Sequence, residues 1–256
     1  MLLAVDVGNS HTVVGVFEDR ALVEHWRVST GLRRTADELV VELSALLDFA
    51  GLDLREHVHG VVLASVVPSL TEAYRQLADR LLEVPVVNVE PGVRTGIRLR
   101  HDHPRDLGAD RIVNAVAAYG LYGGPSIVVD FGTATSFEVV DAEGTFLGGA
   151  IAPGVHTATE ALALRAARLP RVEIVAPPAA IGRSTVTALQ SGIVHGFAGQ
   201  VDGIVTRIRA ELGPGVTTIA TGGSAPAIVA ACTTIDHHDA WLTLKGLRLV
   251  WERNQR

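Results

Sequence analysis

The sequence predicts an α/β protein made of two related halves, and three features of the chain carry that reading. Short apolar or β-branched runs at residues 2–5 and 127–129 each read as a buried strand. Each run ends in an acid, a glycine and small hydroxyl residues, as Asp6-Val7-Gly8-Asn9-Ser10-His11-Thr12 and as Asp130-Phe131-Gly132-Thr133-Ala134-Thr135. The two acids stand 124 residues apart, and the order of strands and helices restarts between them. Glycine lets backbone N–H groups approach an anion closely, and hydroxyls add donors. An acid at a strand tip can hold Mg²⁺ through water or ligate another hard cation. Two such tips imply halves at 1–120 and 121–256 that face one polyphosphate across a cleft.

In the first half, residues 2–7 read as a strand and 13–17 as its hairpin partner, with a third strand at 21–28 after the turn Glu18-Asp19-Arg20. Thr35 and Glu38 have the spacing of a capping box, and the helix they open is expected to bury Leu39, Leu43, Leu46 and Leu47. A buried strand follows at 60–67. Pro68 suits the start of a helix running to about residue 82, and 85–89 is a further strand.

The second half follows a helix near 108–119. Strands are expected at 126–130, 135–140 and 145–149, with a hairpin turn at 141–144. Helices are expected from about His156 to Ala167 and from Thr185 to Leu212. A strand at 216–220 then leads through Thr221-Gly222-Gly223-Ser224 into a short helix at 225–231, and a helical stretch at 242–250 closes the chain.

Composition narrows the function classes. With 48% hydrophobic and 20% charged residues the chain is globular, and a net charge of −6 without a basic stripe argues against a nucleic-acid footprint. The uncharged stretches at 112–129 and 212–235 are broken by glycine and proline, so neither reads as a membrane span. Asp6 interrupts the N-terminal apolar run, so no signal peptide is expected. A single cysteine, Cys232, fits a reducing cytoplasm and reads as a small buried hydrophobe. The only lysine, Lys245, precedes Gly246, which excludes a P-loop; G-x-G-x-x-G is absent too.

Several constellations could carry chemistry. Thr221-Gly222-Gly223, between strand and helix, would let an adenine or ribose lie against backbone, or it is a tight β–α turn. Asp110, in Gly108-Ala109-Asp110-Arg111 at a helix entrance, is either a cap or the group that takes a proton from a phosphoryl acceptor. The glycine-rich segment 148–154 either cradles an anion or packs closely under its neighbours. His101-Asp102-His103 and His237-His238 match no standard zinc spacing, and no G-x-S-x-G elbow occurs.

With these pieces in view, the chain resembles the type III pantothenate kinases. The carrying blocks are DVGNSHT at 6–12, TADEL at 35–39, SVVP at 65–68, GADRIVNAVAAYG at 108–120 and VVDFGTATSFEVVD at 128–141, then LGGAIAPG at 147–154, IGRSTVTALQSGI at 181–193 and ATGG at 220–223. The resemblance implies an actin-like ATPase fold of two ribonuclease-H-like halves with ATP in the cleft between them. It implies phosphorylation of pantothenate, the first step of coenzyme A synthesis, by a cytoplasmic homodimer. By that resemblance Asp6, Val7, Gly8, Asn9, Ser10, His11, Thr12 and Val13 bind ATP with Thr133, and Gly222 and Gly223 lie near the nucleoside. Asp130 ligates a monovalent cation (K⁺ or NH₄⁺), Asp6 can hold Mg²⁺ through water, and Asp110 is the catalytic base. His101, Gly108, Ala109, Asp110, Arg111 and Thr185 contact pantothenate. The helices at 156–167 and 185–212 are dimer surfaces or buried core. The chain departs from the family pattern at Ser10 (usually Thr), His101 (usually Tyr) and Ser184 (commonly Asn). His101 motivates an alternative, a catalytically silent relative acting as a binding or regulatory protein; a sugar or acetate kinase of the same superfamily would lack the GADR block.

Overall fold

The computed structural model describes residues 1–166 and 169–255. In chain order the elements are β1 (Leu2–Val7), β2 (His11–Glu18), β3 (Ala21–Ser29), α1 (Ala36–Phe49), α2 (Leu54–His57), β4 (Gly60–Ser65) and α3 (Pro68–Gln76), which runs on as a π-helical turn, Leu77–Leu82. Then come β5 (Val86–Asn88), β6 (Arg98–Leu99), α4 (Ala109–Tyr122), β7 (Ser126–Phe131), β8 (Ala134–Val140), β9 (Thr145–Pro153) and α5 (Val155–Arg165). The chain closes with α6 (Thr185–Leu212), β10 (Thr217–Thr221), α7 (Ala225–Val229), β11 (His237–His238) and α8 (Leu242–Asn254). It divides into two units, residues 1–120 with 242–256, and residues 121–241.

In the first unit the strands stand in the order β3-β2-β1-β4-β5. Strand β1 is antiparallel to β2 and parallel to β4, so the sheet changes sense at its centre. Leu3, Val5 and Val7 point into a core shared with Leu39, Leu43 and Leu47 of α1 and with Leu70, Ala73 and Tyr74 of α3. The other face of the sheet carries α8: Gly15 leaves room for Leu244, and Gly60 for the Trp251 indole. Both faces of β1 are therefore covered, which is why its run is apolar rather than alternating. The capping box of Thr35 and Glu38 opens α1 as its spacing predicts, with Thr35 N donating to Glu38 Oε2 at 2.8 Å.

The second unit repeats the plan, with strands in the order β11-β10-β7-β8-β9. Here β7 takes the place of β1, antiparallel to β8 and parallel to β10. Its core joins Ile127, Val129, Phe131 and Phe137 to Ile193, Val194, Ala198, Val201 and Val205 of α6. Helix α6 opens on a capping box of Ser184 and Thr187, and its 28 residues end before Gly213, whose φ of +89° an L side chain rarely adopts. Two sheets with one strand order are the ribonuclease-H-like pair that the sequence implies.

Four expectations change. Helix α8 belongs to the first unit, not to a half at 121–256, because Gly246 lets it press on Val113 and Ala117 of α4 while Leu244 and Trp251 settle on the sheet. The segment 148–154 is mostly strand: β9 runs on to Pro153 because β8 pairs with it up to Ala134↔Pro153. Helix α5 stops at Arg165, and its expected end, Ala167, lies outside the described residues. Leu46 and Cys232 are half-buried rather than buried. Among the described residues no helix is long and apolar enough to cross a membrane.

Candidate active site

The first strand tip ends β1. Asp6 is half-buried and pairs in register with Val13 on β2 and Ala64 on β4, where the sheet changes sense. Ligands of α/β sheets gather at the carboxyl ends of strands at such a reversal. The turn that follows is held from inside and outside. Gly8 N–H donates to His11 O at 3.0 Å, which closes the hairpin and uses an amide that the sequence offered to an anion. Thr30, just past β3, donates its hydroxyl to Gly8 O at 2.8 Å and its amide to Ser10 O at 3.0 Å. Thr30 Oγ1 also lies 3.0 Å from Thr12 Oγ1. A hydroxyl has one proton; Thr30 spends its own on Gly8 O, so Thr12 is the donor of that pair. Thr12 is buried, and its hydroxyl has no proton left for an anion. Asn9, Ser10 and His11 are exposed at the crest, with Arg27 Nη2 at 3.3 Å from His11 Nδ1.

The same unit carries the Gly108-Ala109-Asp110-Arg111 block at the start of α4. This helix is buried nearly all round, through Ala109, Ile112, Val113, Asn114, Ala115, Val116, Ala117 and Ala118. Its first turn draws the Asp110 carboxyl into the protein, and a Cβ on Gly108 would run into Asp110 Oδ1. Burial pushes the Asp110 carboxyl above its ordinary value, against the Arg111 amide that donates to Oδ1 at 2.9 Å and the Arg111 guanidinium. A carboxylate raised toward the working pH is a stronger base than a solvated one.

The second tip, in the second unit, ends β7. Asp130 is half-buried and pairs with Ser136 on β8 and Thr221 on β10. Gly222, at φ +93°, sits hard against it: a Cβ there would lie 2.5 Å from Asp130 Oδ1 and 2.6 Å from Phe131 N. Side chains at 222 are thus barred twice, by sterics and by backbone sign. Gly154 fits in the same way beneath the β7–β8 turn, 2.7 Å being all that a Cβ would have to Gly132 O. That favours close packing over an anion cradle for the 148–154 segment. Thr157 of α5 donates its hydroxyl to Thr133 O at 2.8 Å.

The remaining residues are more scattered. His101 is half-buried, and its Nδ1 accepts the His103 amide at 3.2 Å. Thr185 is exposed at the N-terminus of α6, in the second unit. Two participants were not anticipated. Asn114, one turn after Asp110, is buried and accepts the Thr243 hydroxyl at 2.8 Å, tying α4 to α8; a lone Asn in an apolar helix was the available signal. Thr30 gave no signal, since a hydroxyl just past an edge strand is ordinary.

Comparison with known proteins places this arrangement. The sequence model described as type III pantothenate kinase matches residues 2–207. A type III pantothenate kinase from Streptomyces avermitilis is 53% identical over 261 residues, covering 99% of this chain and 98% of its own length. Among solved structures, the ethanolamine utilization protein EutJ from Carboxydothermus hydrogenoformans superposes with a TM-score of 0.58 at 16% identity, over 97% of this chain and 89% of that one. A ROK family glucokinase from Streptomyces griseus, solved with glucose and AMPPNP, gives 0.52 at 15% identity, over 100% and 99%. At such identities the structural likeness is one of fold.

Proposed function

The chain belongs to the type III pantothenate kinase family and phosphorylates pantothenate with ATP, the first step of coenzyme A biosynthesis; we propose that it does so with Asp110 as the base at the pantothenate hydroxyl. The observation that carries this role is the half-buried carboxyl at the head of α4, pressed against Gly108, with its affinity for a proton raised. The 4′-oxygen of pantothenate attacks the γ-phosphorus, the bond to the bridging oxygen breaks, and ADP leaves with that electron pair. The hydroxyl proton passes to Asp110. In a loose phosphoryl-transfer transition state, orientation of the hydroxyl matters more than early deprotonation. A carboxylate already engaged by the Arg111 amide is held to one orientation while keeping acceptor capacity.

By the family resemblance, Gly108, Ala109, Arg111, His101 and Thr185 contact pantothenate, and the turn from Asp6 to Val13, Thr133, Gly222 and Gly223 contact ATP. Asp6 suits Mg²⁺ through water. Asp130, an oxygen donor at a strand tip with Thr221 in register beside it, suits a hard monovalent cation, K⁺ or NH₄⁺. Such ions neutralise phosphate charge.

The protein works as a cytoplasmic homodimer in this account. The support is the outer face of α6, where a Cβ on Gly192, Gly196 or Gly199 would meet nothing within 4 Å. The inner face of the same helix is core, and the reading assigns its outer face to association. Leu164 and Ile181 of the same unit are also exposed, at 78% and 83%.

The test is ADP release with and without pantothenate, in K⁺ and again in Na⁺. Pantothenate-dependent turnover that K⁺ stimulates supports both acceptor and cation; turnover equal in the two salts removes the role of Asp130.

A further inference from the structure

We propose that Thr30 is a positioning residue for ATP, setting the shape of the Asp6–Thr12 turn from outside it. The proposal rests on the reading that this turn receives the phosphates. The backbone carbonyls of the turn take donors from neighbouring elements, and one neighbour meets the turn repeatedly. Thr30 bonds the turn three times: amide to Ser10 O at 3.0 Å, hydroxyl to Gly8 O at 2.8 Å, and hydroxyl from Thr12 at 3.0 Å. Because Gly8 N is tied to His11 O, the carbonyl of Gly8 is the end of that peptide segment that an outside group can still pull on. Fixing Gly8 O and Ser10 O fixes the peptide planes of the residues that follow them, and with these the directions of the Asn9 and His11 amides.

The second unit braces its own tip in the same manner, through the Thr157 hydroxyl on Thr133 O at 2.8 Å. Thr30 touches no substrate in this account; it acts through the turn. A hydroxyl is required rather than bulk, since Val has the same shape but would leave Gly8 O without its donor and Thr12 without its acceptor.

The experiment compares Thr30→Val, Thr30→Ser and Asp6→Asn by steady-state kinetics in both substrates and by thermal melting. Thr30→Val should raise KM for ATP about tenfold, the size of effect expected from one displaced buried bond network. KM for pantothenate should stay near wild type. Thr30→Ser, which keeps the hydroxyl, should return KM for ATP to within about twofold of wild type. A drop in melting temperature with both KM values moving together, not rescued by Ser, would mean a merely structural threonine and overturn the proposal. If Asp6→Asn weakens ATP use and Thr30→Val does not, the positioning role falls alone. If neither variant alters ATP use, the phosphate reading of the turn falls with it.

Discussion

The carboxylate of Asp110 occupies the space that a side chain at residue 108 would need: a Cβ on Gly108 runs directly into Asp110 Oδ1. Glycine at 108 is therefore a condition for where the acid sits, not only a helix-entry residue. Gly222 stands to Asp130 as Gly108 stands to Asp110, so each unit sets a glycine against a carboxylate.

Gly108→Ala should displace the Asp110 carboxylate by a good part of an ångström. Misplacement on that scale costs up to about 10²-fold in rate. We expect kcat to fall by roughly that factor while KM for ATP changes little, checked by steady-state kinetics.

The pH dependence of stability follows from burial of Asp110, whose carboxyl is raised when folded. Its ionised form costs stability, so its contribution is most favourable below the unfolded value of about 3.9 and is lost as pH rises through the folded value. Asp110→Asn removes that cost. The variant should melt above wild type at pH 8. The gap should close as the pH falls toward about 4, which melting curves across pH will show.

Much of this was readable from the chain, and what was not has physical reasons. The strand tips at Asp6 and Asp130 are local features, an apolar run followed by turn chemistry, and they survive intact. The capping box at Thr35 is equally local. The unit to which α8 belongs is not local. It depends on gaps at Gly15, Gly60 and Gly246, whose meaning appears only once a helix lies against them. Strand β11 is two residues, His237 and His238, held by pairing with Ile219 and Ala220 rather than by any apolar pattern. The raised affinity of Asp110 for protons is likewise invisible in sequence, where an acid after Gly108-Ala109 looks like a cap. Burial of α4 on nearly every side changes its chemistry.

Gly222→Ala should be the most damaging small change in the second unit. It places a methyl 2.5 Å from Asp130 Oδ1 and forces an L residue to φ +93°. Strain at such positions costs ~1–3 kcal/mol before the clash is counted. A melting temperature lower by at least about 4 °C, with loss of K⁺ stimulation, is expected from melting and from the two-salt assay.

Association through the outer face of α6 predicts that Gly196→Glu dissociates the dimer. The position is open in the protomer, so the substitution should leave the fold intact, costing less than about 0.5 kcal/mol in the monomer beyond the helix propensity it improves. Sedimentation velocity should show the wild type as a dimer and the variant as a monomer.

The central claim is that Asp110 takes the proton from pantothenate, and the most direct measurement is turnover and nucleotide binding of Asp110→Asn side by side. Loss of a positioned general base costs about 10²–10⁴-fold. The account predicts a fall of that order in pantothenate-dependent ADP release, with ATP still bound at close to wild-type affinity. Turnover within a few-fold of wild type from the folded variant would contradict it.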